Sequence, residues 1–382
     1  MPMRPTCYLD HNATTPLVPE AMVAMRGAME RCGNPSSVHS AGRHARRLVE
    51  DAREQVARVV GADSADVVFT SGGTEANVMA LAGCGRSRVL VSAVEHPSVI
   101  RAIDAPEVVP VDTHGVVRLD ALEAMLAASG EPALVSVMLA NNETGVLQPV
   151  AEVSALARAY GAWVHCDAVQ APGRIGIDVR ALGVHLLSLS AHKLGGPAGI
   201  GALVVSPDVT LRPLSRGGGQ ERGRRAGTEN VIGIAGFGAA AQTVLSARPD
   251  RIARLRDGLE RDLRARCPEA TIFGGDVPRL PNTTCVAMPG VDSEVQVIAF
   301  DLEGVGVSAG AACSSGKVSR SAVLQAMGVG EDIARTAIRV SLGWTTDEAD
   351  VNRFLAVWTG IYQRASSRGP VWAQTSRVGA LV

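Results

Sequence analysis

The chain has 382 residues, 46% of them apolar and 20% charged, which is enough to bury a sizeable core and excludes wholesale disorder. That length calls for one large α/β unit plus a second lobe, or for two domains. A formal net charge of −1 gives no general electrostatic reason to bind nucleic acid or an anionic membrane.

In chain order, the N-terminal MPMRPTCYLDHNATT has no apolar run of the signal-peptide type. No apolar stretch reaches the roughly eighteen residues of a membrane span. Apolar runs predict strands over Asp66–Thr70, Arg88–Ser92, Ala133–Ala140, Ala162–Asp167, His185–Ser190 and Gly201–Ser206. Most are continuously apolar, as in strands covered on both faces, and helical stretches such as Ala151–Tyr160 lie between some of them. The alternation predicts a mostly parallel α/β sheet, with ligands outside the carboxyl ends of its strands. From about Asp250 the texture changes. Ile252, Leu255, Leu259 and Leu263 recur at helical spacing, strand-like runs follow at Thr283–Met288 and Ile338–Leu342, and Glu348–Gln363 reads as a helix.

The seven cysteines, Cys7, Cys32, Cys84, Cys166, Cys267, Cys285 and Cys313, are odd in number, widely spaced and without a C-x-x-C pair. This argues against a disulfide scaffold or structural zinc site and for a reducing compartment. Of 37 basic residues only Lys193 and Lys317 are lysines. Arginine cannot serve as an amine nucleophile near neutral pH, so these two are candidates for chemistry.

Lys193 follows a predicted strand in LSLSAHKLGGPAG. Beside apolar walls it is placed to form a Schiff base with a carbonyl; the alternative is a solvated loop lysine. Asp167 closes the apolar strand of WVHCDAVQ, where a carboxylate needs a cation or strong donors. A protonated pyridine nitrogen would serve, and so would a helix N-terminus or a salt bridge. FTSGGTEAN runs from a strand through glycines into a helical pattern, either a phosphate cradle or a structural cap. His96, in VEHPS, is suited to stacking on a planar ring or moving protons, or is a surface histidine. Asn141–Gly145 (NNETG) and the Gly-rich GGGQERGRRAGTEN read as an ordinary turn and linker, or as ligand- and subunit-contacting loops. Cys313, among small residues in SAGAACSSGK and four positions before Lys317, reads as an exposed reactive thiol or as a buried structural one.

Together these segments closely resemble the NifS/IscS-like cysteine desulfurases among the fold-type I pyridoxal phosphate enzymes of the class V aminotransferase family. The matching stretches are YLDHNATTP, NPSSVHSAGR, TSGGTEAN, EHPS, NNETGVLQPV, DAVQ, SLSAHKLGGPAG, GGGQERGRRAGTEN, the Cys313 loop and IRVSLGWTT, in family order from Tyr8 to about Thr346. The resemblance implies an α/β fold-type I transferase, with a mostly parallel seven-stranded sheet and flanking helices in a large cofactor-binding domain over 15–255. A smaller α+β domain over 1–14 and 256–382 would carry the cysteine loop.

The resemblance also implies roles. Lys193 would hold pyridoxal 5′-phosphate, Asp167 would pair with its ring nitrogen, and Gln170 and Asn142 would address its ring oxygen. His96 would stack on the ring and take part in proton transfer. Gly73, Thr74, Ser190 and His192 would bind the phosphate, and Thr228 would reach the phosphate of the other subunit in a homodimer. Arg339, assisted by Asn34, would clamp the carboxylate of L-cysteine. Cys313 would take the sulfur as a persulfide, leaving L-alanine, and deliver it to an iron–sulfur scaffold, nitrogenase-type or general, or to another thiolation acceptor. No permanent metal site is implied beyond a transient iron–sulfur contact through Cys313, and the expected location is cytoplasmic, with no nucleic acid or membrane partner. The alternative readings are a selenocysteine or related sulfur amino acid lyase, and a non-catalytic adaptor. Three features depart from the family pattern: Ala198 where a lysine is common, Trp344 where an Arg-Phe pair is usual, and a C-terminal SSRGPVWAQTSRVGALV unlike the scaffold-docking tail of housekeeping members.

Overall fold

Seven short apolar segments build one sheet because each is hydrophobic on both faces and must be covered on both. They are β1 (Val67–Thr70), β2 (Arg88–Ser92), β3 (Glu107–Val109), β4 (Ala133–Ser136), β5 (Trp163–Asp167), β6 (Leu186–Ser190) and β7 (Gly201–Val205). The spatial order is β1-β7-β6-β5-β4-β2-β3, parallel except for β7, which runs antiparallel to both of its neighbours. The computed structural model describes residues 7–310 and 320–367.

The chain divides into two compact units. The larger comprises Thr14–Asn142 and Val146–Arg248; the other comprises Met1–Ala13, Glu143–Gly145 and Pro249–Val382. In the larger unit, strand alternation separates two cores. Val67, Phe69, Leu187, Leu189, Ala202 and Val204 face one core, together with Val49, Ala52 and Val56 of helix Ser40–Val59 and Ile234, Phe237 and Ala240 of helix Val231–Val244. Val68, Leu134, Leu186, Leu203 and Val205 face the other, against Ala76, Met79 and Ala80 of helix Gly73–Gly83. At roughly 25 cal/mol per Å² of apolar surface, burial on both faces is the main force holding the sheet between its helices.

The smaller unit is α+β. Its antiparallel sheet has the order Ser308–Ala309, Ala337–Ser341, Thr283–Ala287, Thr271–Phe273. Helices Pro249–Arg266, Ser293–Leu302 and Glu348–Ser367 share a core with it, in which the Phe300 and Phe354 rings stack 4.9 Å apart beside the fully buried Trp358. Cys7–Tyr8 adds a short parallel pairing with Val305–Gly306. Among the described residues no single helix is long and apolar enough to cross a membrane.

The strands expected at Arg88–Ser92, Ala162–Asp167, His185–Ser190 and Gly201–Ser206 are present within a residue at either end. Ala133–Ala140 is a ladder only to Ser136. Beyond it the chain stays beside β5 through Val137 N–H donating to the His165 carbonyl and Leu139 N–H to that of Asp167.

Candidate active site

The site arises where one face of the sheet changes chemistry. Toward the carboxyl ends of β4, β5 and β6, the face covered by helix Gly73–Gly83 turns from apolar to polar, presenting Ser136, His165, Asp167, Ser188 and Ser190, all buried. His165 ties three strands together, Nδ1 lying 2.8 Å from Ser136 Oγ and Nε2 2.9 Å from Ser188 Oγ. Burial pushes its pKa down to about 4, against the opposing pull of Asp167, so the ring is a neutral cross-brace at physiological pH.

Asp167, at the end of β5, is 7% exposed. Its Oδ1 accepts from Val169 N–H at 3.0 Å and its Oδ2 from Asn77 Nδ2 at 2.7 Å. Asn77 comes from helix Gly73–Gly83 and also donates to Ser98 Oγ, which lies 2.7 Å from His96 Nδ1. Asp167 and His96, expected to share a site, are thus the two ends of one hydrogen-bonded chain. Gln170 follows three residues after Asp167. Its side-chain oxygen accepts from Arg174 Nη1, which turns its amide nitrogen away from that guanidinium. Asn142, half-buried, follows Asn141, whose Nδ2 donates to the Val94 carbonyl.

The entry to helix Gly73–Gly83 is shaped for close approach. Gly72 adopts φ 157°, ψ 178°, a region open only to glycine. A Cβ on Gly73 would lie 2.9 Å from Val169 Cγ2 and 3.4 Å from Ser190 Cβ. The first turn of an eleven-residue helix therefore meets the end of β6 with no side chain between them. Glu75 reaches back to Ser71 N–H and pairs with Arg225. Burial raises its carboxyl pKa, but these donors outweigh burial and hold it below the usual range. Lys193 ends the short turn Ala191–Lys193 after β6, is half-buried, and accepts from Thr15 Oγ1 at its carbonyl. Its neighbour His192 lies 3.2 Å from Thr14 Oγ1 and is held neutral, its pKa pushed down to about 4 by burial and by Lys193.

A lysine and a buried carboxylate lie at the ends of adjacent parallel strands, beside a glycine-lined helix start, a set whose chemistry suits a phosphate-bearing pyridine aldehyde. Comparison with known proteins decides the family. The aminotransferase class-V model matches residues 7–354. A cysteine desulfurase of Cereibacter sphaeroides is 43% identical over 96% of this chain and 98% of its own length. An IscS-like cysteine desulfurase of Mycobacterium tuberculosis is 39% identical over 97% of this chain and 100% of its own. The X-ray structure of a NifS-like protein from Rickettsia africae matches with a TM-score of 0.86 at 39% identity, over 94% of this chain and 100% of that one.

The chain belongs to the class-V aminotransferases, among the NifS/IscS-like cysteine desulfurases. Members of this family are pyridoxal phosphate-dependent enzymes, and the fold-type I architecture expected from the resemblance is the one found.

Other desulfurase segments are placed as follows. The Gly-rich loop is pinned at Glu221, whose carboxylate accepts from Arg53 Nη1 and Nη2 (2.7 and 2.9 Å) and from Phe69 N–H of β1. Glu221 and Arg222 both have left-handed backbones (φ 46° and 58°), an unfavourable arrangement held in place by that buried pair. Thr228 on the same loop is exposed. Asn34 is also exposed, and its Oδ1 accepts from Ser36 N–H within its own turn.

In the smaller unit, Arg339 on strand Ala337–Ser341 is buried, with Nη2 donating to Asp10 Oδ1 at 2.7 Å. Asp10 Oδ2 accepts from Ser308 Oγ at 2.7 Å. Glu143 of NNETG accepts from Ser321 Oγ at 2.6 Å. Cys313 and Lys317 lie outside the described residues. Among the described residues, no group of three or more His, Cys, Asp or Glu is placed to hold a metal ion.

Asn77, Ser98, Arg174 and the Arg53–Glu221 pair were not singled out from sequence. Asn77 alone left a usable signal, an amide at a core-facing position of an otherwise apolar helix.

Glu143 supports a pH prediction. Burial raises its carboxyl pKa from 4.5 to about 7, against the Ser321 hydroxyl and the Arg339 charge. The folded state therefore keeps a proton that the unfolded state releases between pH 4.5 and 7. The group's contribution to stability is present below pH 4.5 and is lost as pH rises through about 7. Urea unfolding at pH 5 and pH 8 is expected to show a larger loss of stability in the wild type than in Glu143→Gln; equal losses would contradict the assignment.

Proposed function

We propose that this chain is a cysteine desulfurase that binds pyridoxal 5′-phosphate through Lys193, takes sulfur from L-cysteine and passes it to Cys313. The observation that carries this reading is the juxtaposition of the buried Asp167 carboxylate at the end of β5 with Lys193 just beyond β6. It occurs in a chain 43% identical, over 96% of its length, to a protein named cysteine desulfurase.

The residues present fit the cofactor. The glycine entry to helix Gly73–Gly83 and the serine ending β6 suit its phosphate, and the lysine amine suits its aldehyde. When bound, the ring withdraws electrons from the amino acid joined to it. Asp167, oriented by two donors, would hold a proton on the ring nitrogen. Gln170, oriented by Arg174, and Asn142 donate to the ring oxygen. His96 would face the ring and move a proton. Gly73, Thr74, Ser190 and His192 bind the phosphate, and the exposed Thr228 reaches the phosphate of the other subunit in a homodimer.

Arg339, held on Asp10 through Nη2, binds the substrate carboxylate, with Asn34 assisting. The Cys313 thiolate attacks the sulfur of bound L-cysteine. A sulfur–sulfur bond forms as the Cβ–S bond breaks, and Cβ takes up a proton. The products are L-alanine and a Cys313 persulfide, with no external oxidant or reductant. The persulfide then serves an iron–sulfur scaffold or another sulfur acceptor in the cytoplasm.

The test is turnover of L-cysteine with alanine and sulfide counted separately. The wild type is expected to yield one alanine per sulfide in the presence of a reducing thiol. Cys313→Ser is expected to keep the yellow cofactor and to form no alanine under turnover. Full turnover by that variant would place the nucleophile elsewhere.

A further inference from the structure

A hydrogen-bonded chain of four side chains crosses the proposed cofactor site, and its direction can be read from one end. The Asp167 carboxylate can only accept, so the amide edge that Asn77 presents to Oδ2 at 2.7 Å is its nitrogen. The same nitrogen gives its second hydrogen to Ser98 Oγ at 2.9 Å. The Ser98 hydroxyl, having accepted, has its own hydrogen to give, and His96 Nδ1 lies 2.7 Å away. That ring nitrogen also faces the Ser98 backbone N–H at 3.1 Å. A nitrogen receiving two donors carries a lone pair, so the ring proton of neutral His96 is on Nε2. Asn77 is 1% exposed and its Oδ1 has no hydrogen-bond partner among the described residues. Leaving a buried carbonyl oxygen unpaired is unfavourable, and the amide accepts that cost to keep its nitrogen on Asp167 and Ser98.

We infer that Asn77 and Ser98 are positioning residues, which orient the Asp167 carboxylate and set His96 as a neutral imidazole with its proton on Nε2. The inference rests on the proposed function only in that Asp167 and His96 are taken to face the cofactor ring. It goes further by assigning which histidine nitrogen handles the proton: Nδ1 is occupied by the Ser98 donors, so exchange with a ligand runs through Nε2.

The charged and titratable groups bearing on His96 are Asp167 of β5, which favours its protonation, and Lys193 beyond β6, which opposes it. Its chain neighbour Glu95 is buried and accepts from Met138 N–H. Burial and the Asp167 charge push the Glu95 carboxyl well above the usual carboxylate range, against the Met138 N–H. His165 on β5 and His192 beside Lys193 are both held neutral.

The test is ¹⁵N NMR of histidine-labelled protein, purified with its cofactor and again after the cofactor is removed, with His96→Gln identifying the signal. The wild type is expected to show the neutral Nε2–H tautomer in both forms. Ser98→Ala removes a donor to the unprotonated nitrogen, so the His96 titration is expected to move up by about one pH unit. In Asn77→Leu the hydroxyl of Ser98 loses its fixed direction. The Nε2–H pattern is expected to weaken there, and adding Ser98→Ala to Asn77→Leu should produce no shift beyond that of Ser98→Ala alone. An Nδ1–H tautomer in the wild type would overturn the inference, as would an unmoved titration in Ser98→Ala. Additive effects in the double variant would reduce Asn77 to a packing role. Because the readout is the imidazole itself, a protein inactive on cysteine could still pass this test, and an active desulfurase could still fail it.

Discussion

Asp167→Asn is expected to fold, to keep the bond from Val169, and to lose turnover of L-cysteine by about 10²–10³-fold, the scale of removing one preorganised electrostatic partner. The substitution separates charge from shape. The asparagine oxygen can still accept from Val169 N–H, and its amide nitrogen can donate to the Asn77 side-chain oxygen once that amide turns over, so the end of β5 and helix Gly73–Gly83 stay docked. What disappears is the negative charge that would hold a proton on the ring nitrogen. The measurement is alanine formation at saturating cysteine, with the cofactor absorbance recorded on the same samples. Loss of rate with retained colour fits an electrostatic role. Unchanged turnover would show that the carboxylate does not serve the ring.

The second large effect concerns stability. Glu221→Ala is expected to destabilise the larger unit by about 3–5 kcal/mol, the usual cost of leaving one member of a buried ion pair without its partner. Arg53 and Glu221 side chains are each 3% exposed, and the carboxylate also accepts from Phe69 N–H, so the variant leaves Arg53 with only Glu50 and the Val67 carbonyl and removes the acceptor of a strand amide. The pair holds two consecutive left-handed residues in a loop that reaches Thr228, so the same variant is expected to lose cofactor more readily than the wild type. Arg53→Met combined with Glu221→Leu removes both charges at similar volume and is expected to recover most of the stability but not the loop geometry. Denaturant unfolding of the three proteins checks this. A single variant as stable as the wild type would mean the pair is open to water.

The parts legible in sequence were those written in local pattern. Continuous apolar runs marked the central strands, and the helical recurrence of Ile252, Leu255, Leu259 and Leu263 marked Pro249–Arg266. The scarcity of lysine drew attention to Lys193, and an acidic residue closing an apolar strand drew attention to Asp167. The illegible parts depend on distant residues meeting. β3 is three residues between Pro106 and Pro110 at the sheet edge, too short and too proline-bounded to read as a strand. Arg53 and Glu221 are separated by 168 positions and meet only because the Gly-rich loop returns to helix Ser40–Val59. Asn77 stands inside the TSGGTEAN segment, yet its partner Asp167 is 90 residues away, and nothing local to either shows that helix Gly73–Gly83 lies across β5. Glu143, one residue past Asn142, reads as part of a polar turn, whereas it is buried and bonded to Ser321.

The proposed chemistry rests on one amine, and borohydride reduction of the purified protein followed by peptide mass mapping tests it most directly. The reading predicts a pyridoxyl adduct on the peptide containing residue 193, absent in Lys193→Ala, which should also be colourless. An unmodified Lys193 in cofactor-loaded protein, or an adduct at another position, would contradict it.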